Sequence, residues 1–238
     1  RQMKRRDFLK TSVVAGVALS LNFEGLQAAL SSNTVAVEQA PDLVAVMGGE
    51  PAVMLDKALE ALGGIGKYIM PGNDEKYFKE VDIPDGVTLK KAKIHESLIE
   101  ADAWINVPIL KNHGGAKLSC AMKNMMGIVW DRRFFHQNDL QQCIADICTW
   151  KKKPVLNIVD AYRMMHQNGP QGKSAADVAT LKSMIVSPNI VAVDTAALAL
   201  FNQVKKLDMA AVGHLSKGEA LKLGSTDLKK INIKRIKI

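Results

Sequence analysis

The chain has 238 residues, 47% hydrophobic and 24% charged. That is enough for one α/β domain with a real core, in the ordinary range for a globular protein. The formal charge is +8, but five basic groups lie in residues 1–30 and five more in the last ten, and the body between is balanced at 22 basic against 22 acidic. A balanced body with 5% aromatic residues and no aromatic–basic interleaving argues against a nucleic-acid-binding face, which needs a basic stripe.

Lys4-Arg5-Arg6-Asp7-Phe8-Leu9-Lys10 precedes the apolar run Val13 to Leu19. A basic start and a short apolar middle make an export signal, too short to span a bilayer. R-R-D-F-L-K resembles the twin-arginine signal. It implies export in a folded state, with the export machinery as partner, a signal peptide over 1–30 and no membrane span after its removal. Residues 31–41 read as a flexible lead-in, and 42–238 as the folded domain.

Asp42 to Met47 reads as a buried strand, and Gly48-Gly49-Glu50-Pro51 opens a helix with Leu55, Ala58, Leu59 and Leu62 on one face. Tyr77 to Ile83 alternates weakly, an edge strand closed by Pro84-Asp85-Gly86. Ile94 to Ala101 gives a helical turn or two. Trp104 to Leu110 is a buried strand, in which Pro108 must lie near an end or a bulge. Ala116 to Met126 places Leu118, Ala121, Met122, Met125 and Met126 at helical spacing, so we expect a helix with methionines as core filler. Asp139 to Trp150 is a second helix capped by Asn138 or Asp139. Pro154 to Asp160 is a strand with Asp160 at its C-terminal end. A Gly-rich loop, Met164 to Ser174, follows. Leu181 to Ser187 is a strand, and Ile190 to Val204 a helix capped by Asn189. Two short helices, Met209 to Ser216 and Glu219 to Leu223, lead to an exposed edge strand from Ile231 to Ile238. Alternating strands and helices predict an α/β fold, a single layered domain with a mostly parallel or mixed sheet flanked by helices. Ligands of such sheets sit beyond the C-terminal strand ends, which gathers Lys111, Asn112, His113, Asp160 and the Asn168 loop on one edge.

The run V-P-I-L-K-N-H-G-G-A-K-L-S-C-A-M-K-N-M-M-G-I-V-W-D-R-R, from Val107 to Arg133, resembles the core motif of the domain-of-unknown-function family numbered 362 (DUF-362). So do G-G-E-P at Gly48, V-D-A-Y-R at Val159, N-G-P-Q-G at Asn168, I-V-A-V-D at Ile190 and L-G-S-T-D-L at Leu223. The family has no general assigned reaction. Some relatives carry ferredoxin-type iron–sulfur modules, and this chain has none. The family pattern also holds several dozen more residues where Ile65 to Pro71 passes directly here. The resemblance therefore implies that central strands and part of the site are missing.

Lys111 and His113 flank Gly114-Gly115 at an expected strand-to-helix junction. A positive charge, free helix N–H groups and close approach at glycine suit a carboxylate or phosphate. A solvated basic loop, with glycines needed only for the turn, is the competing reading. On the first, Lys111, Lys117, Lys123 and Arg132 hold negative charge, and Asn112, Gly114, Gly115 and Asn124 complete the ligand-binding set. His113 is the proton-transfer candidate, with Asp160 to orient it. His113, His136 and His166, with Asp131 or Asp160, are a possible set for zinc, nickel or iron. Cys120, Cys143 and Cys148 form no C-x-x-C and read as small core residues. Competing functions are a non-catalytic accessory to an exported redox or envelope partner, or a metal- or iron–sulfur-dependent redox protein. These residues name a site but no substrate, reaction or cofactor.

Overall fold

The computed structural model describes residues 74–235, and its compact unit runs from Gly72 to Ile233. The expected signal, lead-in, strand at Asp42, helix at Pro51 and short passage at Ile65–Pro71 lie outside the described residues. Within them the architecture is α/β with a mixed sheet.

Strands β1 (Phe78–Asp82) and β2 (Lys91–His95) form an antiparallel pair, with Phe78 opposite His95 and Asp82 opposite Lys91. β2 escaped the sequence reading because K-A-K-I-H offers only Ala92 and Ile94 to the interior. The pair is anchored by Ile83, Leu89 and Ile94, all buried, and by the buried Asp146, whose carboxylate accepts the Thr88 and Leu89 N–H groups at 2.7 and 2.8 Å. A short helix, α1 (Glu96–Glu100), follows.

The main sheet is built around β6 (Leu156–Met165). On one side lie β3 (Ile105–Asn106) and β4 (Ile109–His113), both parallel to β6. Ile105 pairs with Leu156 and Ile109 with Asp160, one register on both sides of Pro108, and the Asp160 N–H donates to the Pro108 carbonyl at 2.9 Å. Proline lacks a donor, yet its carbonyl still serves the ladder. This is the interruption expected from Pro108, and the register then shifts between Ile109 and Lys111. On the other side β7 (Val178–Ser187) runs antiparallel to β6. β5 (Lys117–Ser119) closes the β4 edge as a hairpin.

That hairpin corrects the expectation of one helix from Ala116 to Met126. Helix α2 spans only Ala121–Asn124 and continues as a 3-10 turn, Met125–Ile128. Pairing of Lys111 to His113 with Lys117 to Ser119 takes up the local backbone groups, and Lys117 has φ 65°, outside the helical basin. Leu118, Ala121, Met122, Met125 and Met126 are all buried, so the apolar spacing marks core residues correctly while mistaking the backbone carrying them.

Asp160 also moves. β6 runs five residues beyond it, so Asp160 sits mid-strand between Ile109 and Met184. A-Y-R-M-M alternates buried and exposed residues loosely and pairs with β4 on one side and β7 on the other, so long-range pairing carries the strand past Asp160. Helices α3 (Arg133–Gln137) and α4 (Leu140–Ile147) follow the W-D-R-R loop; Asp139 caps α4, accepting the Gln142 N–H. α5 (Ile190–Phe201) is capped by Asn189 as expected, and packs on β6, β7 and α2. A 3-10 turn (Met209–Ala211) leads into α6 (Gly213–Ala220), one helix where two were expected. Residues 231–235 form no strand, and the rest of that expected strand, 236–238, lies outside the described residues.

Candidate functional site

The first residues to place are two buried polar groups that fasten α2. The Asp194 carboxylate, fully buried on α5, accepts the N–H groups of Ala121 at 2.7 Å and Met122 at 2.9 Å. The positive end of α2 is therefore already neutralised from inside the protein. Burial pushes the Asp194 carboxyl up to about 6, against the pull of the Met122 N–H, the Cys120 thiol and the Ala121 N–H. From the sheet side, Asn106 donates to the Ala121 carbonyl at 3.1 Å and to Asn157 Oδ1 at 3.0 Å, and accepts from Asn124 Nδ2 at 2.8 Å. Asn157 passes its own donors to the Ser187 and Pro188 carbonyls. Asn124, expected to contact ligand, serves this network. Asp194, Asn106 and Asn157 were missed as site-building residues; their one signal was a polar residue in an otherwise apolar run.

Lys123 rises from the last turn of α2, half-buried. Burial first, and then the charges of Lys111 and Arg132, hold its ammonium below the usual lysine range. Its charge acts on two imidazoles, His113 and His214. Lys111 and Lys123 both act on His113, Arg132 acts on Lys123, and no carboxylate among the described residues pairs with any of the three cations. By contrast Lys91 meets Glu80 at 2.8 Å and Lys217 meets Asp139 at 3.2 Å.

The hairpin turn fixes the His113 tautomer. Nδ1 accepts the N–H groups of Gly115 at 3.2 Å and Ala116 at 3.1 Å. A nitrogen accepting two hydrogen bonds carries no proton, so the proton resides on Nε2, which is left as a donor. Burial, then Lys123, His136 and Lys111, push the His113 pKa down and favour that neutral form. Asp160 does not orient it: the Asp160 carboxylate accepts the Tyr162 N–H at 2.9 Å, and it is not among the groups whose charge acts on His113.

The remaining expected residues serve the frame. Asn112 Oδ1 accepts the Gly169 N–H at 3.1 Å, and its amide donates to the Lys117 carbonyl at 3.4 Å. Gly114 donates to the Gly169 carbonyl at 3.3 Å, so the hairpin and the Asn168 loop are stitched together. Asp177 holds the other end of that loop, accepting from Asn168 Nδ2 at 2.8 Å and from the Ser174 N–H at 3.1 Å. Lys117 is exposed and is not among the charges acting on His113 or Lys123. His136 joins the His113 neighbourhood, but His166 bonds the Ala176 carbonyl at 3.1 Å, and no group of three metal-ligating side chains occurs among the described residues.

His214, on α6, was not singled out in the sequence. It is fully buried, and its Nδ1 lies 2.6 Å from Gln141 Oε1, which also accepts the His214 backbone N–H. Nδ1 is therefore the protonated nitrogen, leaving Nε2 as a buried lone pair with no partner in the protein. Burial, then Lys123, lowers its pKa to about 3. A buried unsatisfied acceptor typically costs about 1–3 kcal/mol, the sort of cost accepted at working sites.

A cleft of about 760 Å³ lies between the β1–β2 pair and the W-D-R-R loop, lined by Lys93, Trp130, Arg132, Arg133 and Phe134 among others. It shares Arg132 with the cation group but none of Lys111, His113 and Lys123. Its charges are mixed, since Glu75 and Glu80 pair with Lys93 and Lys91 there.

No curated protein and no solved structure matches the chain. The family model described as "Domain of unknown function (DUF362)" matches residues 54–199, which includes the hairpin, Lys123, the W-D-R-R loop, β6 and Asp194. The match spans more than half of the 238 residues, and the chain belongs to that family.

Proposed function

We propose that this protein binds a small anion, a carboxylate or phosphate, between Lys111, Lys123 and Arg132, with the His113 Nε2–H as a further donor. One observation carries this reading: Lys123 is half-buried within reach of the charges of the half-buried Lys111 and the exposed Arg132, and no carboxylate among the described residues pairs with any of the three. A partly desolvated ammonium beside like charges is unfavourable unless something of opposite sign joins it. A bound anion supplies that sign, and stabilises the folded chain by mass action.

The frame supports the reading. α2 is fastened from two sides, so Lys123 is presented from a fixed base, which suits recognition of a small ligand. Inorganic phosphate titrated into the protein by calorimetry should give saturable binding, lost in the Lys111→Gln/Lys123→Gln variant while circular dichroism stays unchanged. Equal binding by both proteins refutes the proposal. The R-R-D-F-L-K segment supports export by the twin-arginine route as part of the same proposal. Replacing Arg5 and Arg6 by lysine should then block translocation of a folded reporter fused after residue 30.

A further inference from the structure

We propose that the cleft between the β1–β2 pair and the W-D-R-R loop is a second binding site, and that its ligand is an aromatic acid: a planar ring that lies on Trp130 and carries a phosphate or carboxylate held by Arg133. The site is separate from the anion receptor at Lys111 and Lys123 and does not depend on it.

The cleft has the size and the lining for such a ligand. Its volume, about 760 Å³, falls in the range of small-molecule sites, about 300–1,000 Å³. Leu89, Ala92 and Val129, all buried, give it an apolar lining. Trp130 supplies the aromatic surface. Its ring rests on the buried Phe78, centroids 5.1 Å apart, yet the residue stays 36% exposed and lines the cleft. A large aromatic left open beside a hollow offers a stacking surface, and its indole N–H has no partner among the described residues. The backbone beneath is tied down. The Trp130 N–H donates to the Lys93 carbonyl at 2.9 Å, Val129 bridges to Ile94, and Asp131 Oδ1 accepts the Arg133 N–H at 3.1 Å. Ring and guanidinium are thus carried by a loop fastened to β2, which limits the order lost to binding.

The charges of the cleft divide into engaged and open ones. Glu75 pairs with Lys93 and Glu80 with Lys91, so these four satisfy one another. Arg132 donates through Nε to the Val129 carbonyl at 3.3 Å and belongs to the first site. The exposed Arg133 guanidinium lines the cleft and meets no carboxylate and no hydrogen-bond acceptor among the described residues. A guanidinium is a planar fork that matches a carboxylate or phosphate through two parallel hydrogen bonds. Inorganic phosphate alone would leave Trp130 uncovered, and a neutral ring would leave the fork empty. A ring that bears the acid uses both.

1-Naphthyl phosphate is the probe, titrated into the full chain by calorimetry, with 1-naphthoate, neutral 1-naphthol and inorganic phosphate beside it. At least one of the two acids should bind about tenfold or more tightly than naphthol, and which one does so tells phosphate from carboxylate. Binding of that acid should weaken about tenfold or more in Arg133→Gln and in Trp130→Leu, and persist in Lys111→Gln/Lys123→Gln. Saturating probe should also shield Trp130 from limiting N-bromosuccinimide, read by peptide mass spectrometry. Arg133→Gln alters an exposed side chain, so it decides the matter even where Trp130→Leu loosens the Phe78 contact. No binding of either acid, or equal binding by wild type and Arg133→Gln, overturns the inference. Binding lost in Lys111→Gln/Lys123→Gln but kept in Arg133→Gln puts the ring compound in the anion receptor and overturns it equally. Inorganic phosphate binding that depends on Lys111 and Lys123 stands or falls separately, so the two readings fail by different results.

Discussion

Replacing Asp194 by alanine removes the group that holds the start of α2. Two buried N–H groups, at 2.7 and 2.9 Å from its oxygens, are left without partners. Each orphaned buried donor costs about 1–3 kcal/mol, so Asp194→Ala should lose about 2–6 kcal/mol. For a chain of this size that is a fall of about 5–20 °C in Tm, at about 2–4 °C per kcal/mol. Urea unfolding at pH 7, followed through the buried Trp150, measures it. A loss below about 1 kcal/mol would refute the idea that this carboxylate builds the site's base. The pH dependence has a definite sign. Burial raises the Asp194 carboxyl from 3.8 in the unfolded chain to about 6. Between those values the folded state keeps a proton that the unfolded state has released, so the stability from this group is full below about pH 4 and falls as pH rises to 6. The advantage of wild type over Asp194→Asn should shrink across that window, by up to about 3 kcal/mol. An advantage that grows instead means the carboxylate is held ionised by its donors.

Two further outcomes follow from packing and burial. A Cβ on Gly169 would lie 1.8 Å from the Asn112 carbonyl oxygen and 2.6 Å from its carbon, so Gly169→Ala must push the Asn168 loop off the hairpin. It should lose about 1–3 kcal/mol or more, whereas Gly127→Ala, with nothing within 4 Å, stays within about ±0.5 kcal/mol in the same denaturation assay. His214 works against Asp194 in acid. Its folded pKa of about 3 lies below the unfolded 6.5, so stability is lost as pH falls from 6.5 toward 3, by at most about 5 kcal/mol. His214→Gln should therefore show a shallower acid limb in a pH series of Tm values, and an unchanged limb would contradict the buried neutral imidazole.

Residues that spoke clearly in the sequence were those whose chemistry matched their place. Asn189 and Asp139 read as caps and are caps; Pro108 read as an interruption and is one. Leu118 and the methionines read as core and are core, yet Leu118 sits on a strand, because helical spacing and inward-facing positions of a hairpin followed by a helix coincide over so few residues. Asp160 was misplaced because its charge looked like a strand end, whereas β6 is continued by long-range pairing invisible to a local pattern. Lys111, His113, Lys123 and Arg132 were legible as one group because they crowd into a single motif. What no local reading could find is what holds them: Asp194 and Asn106 reach α2 from other elements, with Asn157 behind Asn106, and a lone polar residue in an apolar run does not announce its partner.

That dependence can be tested apart from the ligand. Asn106 is buried and carries no charge of its own. It joins the Ala121 carbonyl, Asn124 and Asn157 through three hydrogen bonds of 2.8–3.1 Å. Replacing it by alanine keeps every cation and leaves α2 anchored by Asp194 alone. If position as well as charge makes the site, Asn106→Ala should remain folded, with a stability loss of about 2–6 kcal/mol for the two buried acceptors left unpaired, and should bind phosphate more weakly than wild type in calorimetry. Binding that stays at the wild-type level in a demonstrably loosened α2 would mean that summed charge alone attracts the anion, and that the two buried anchors serve only the core.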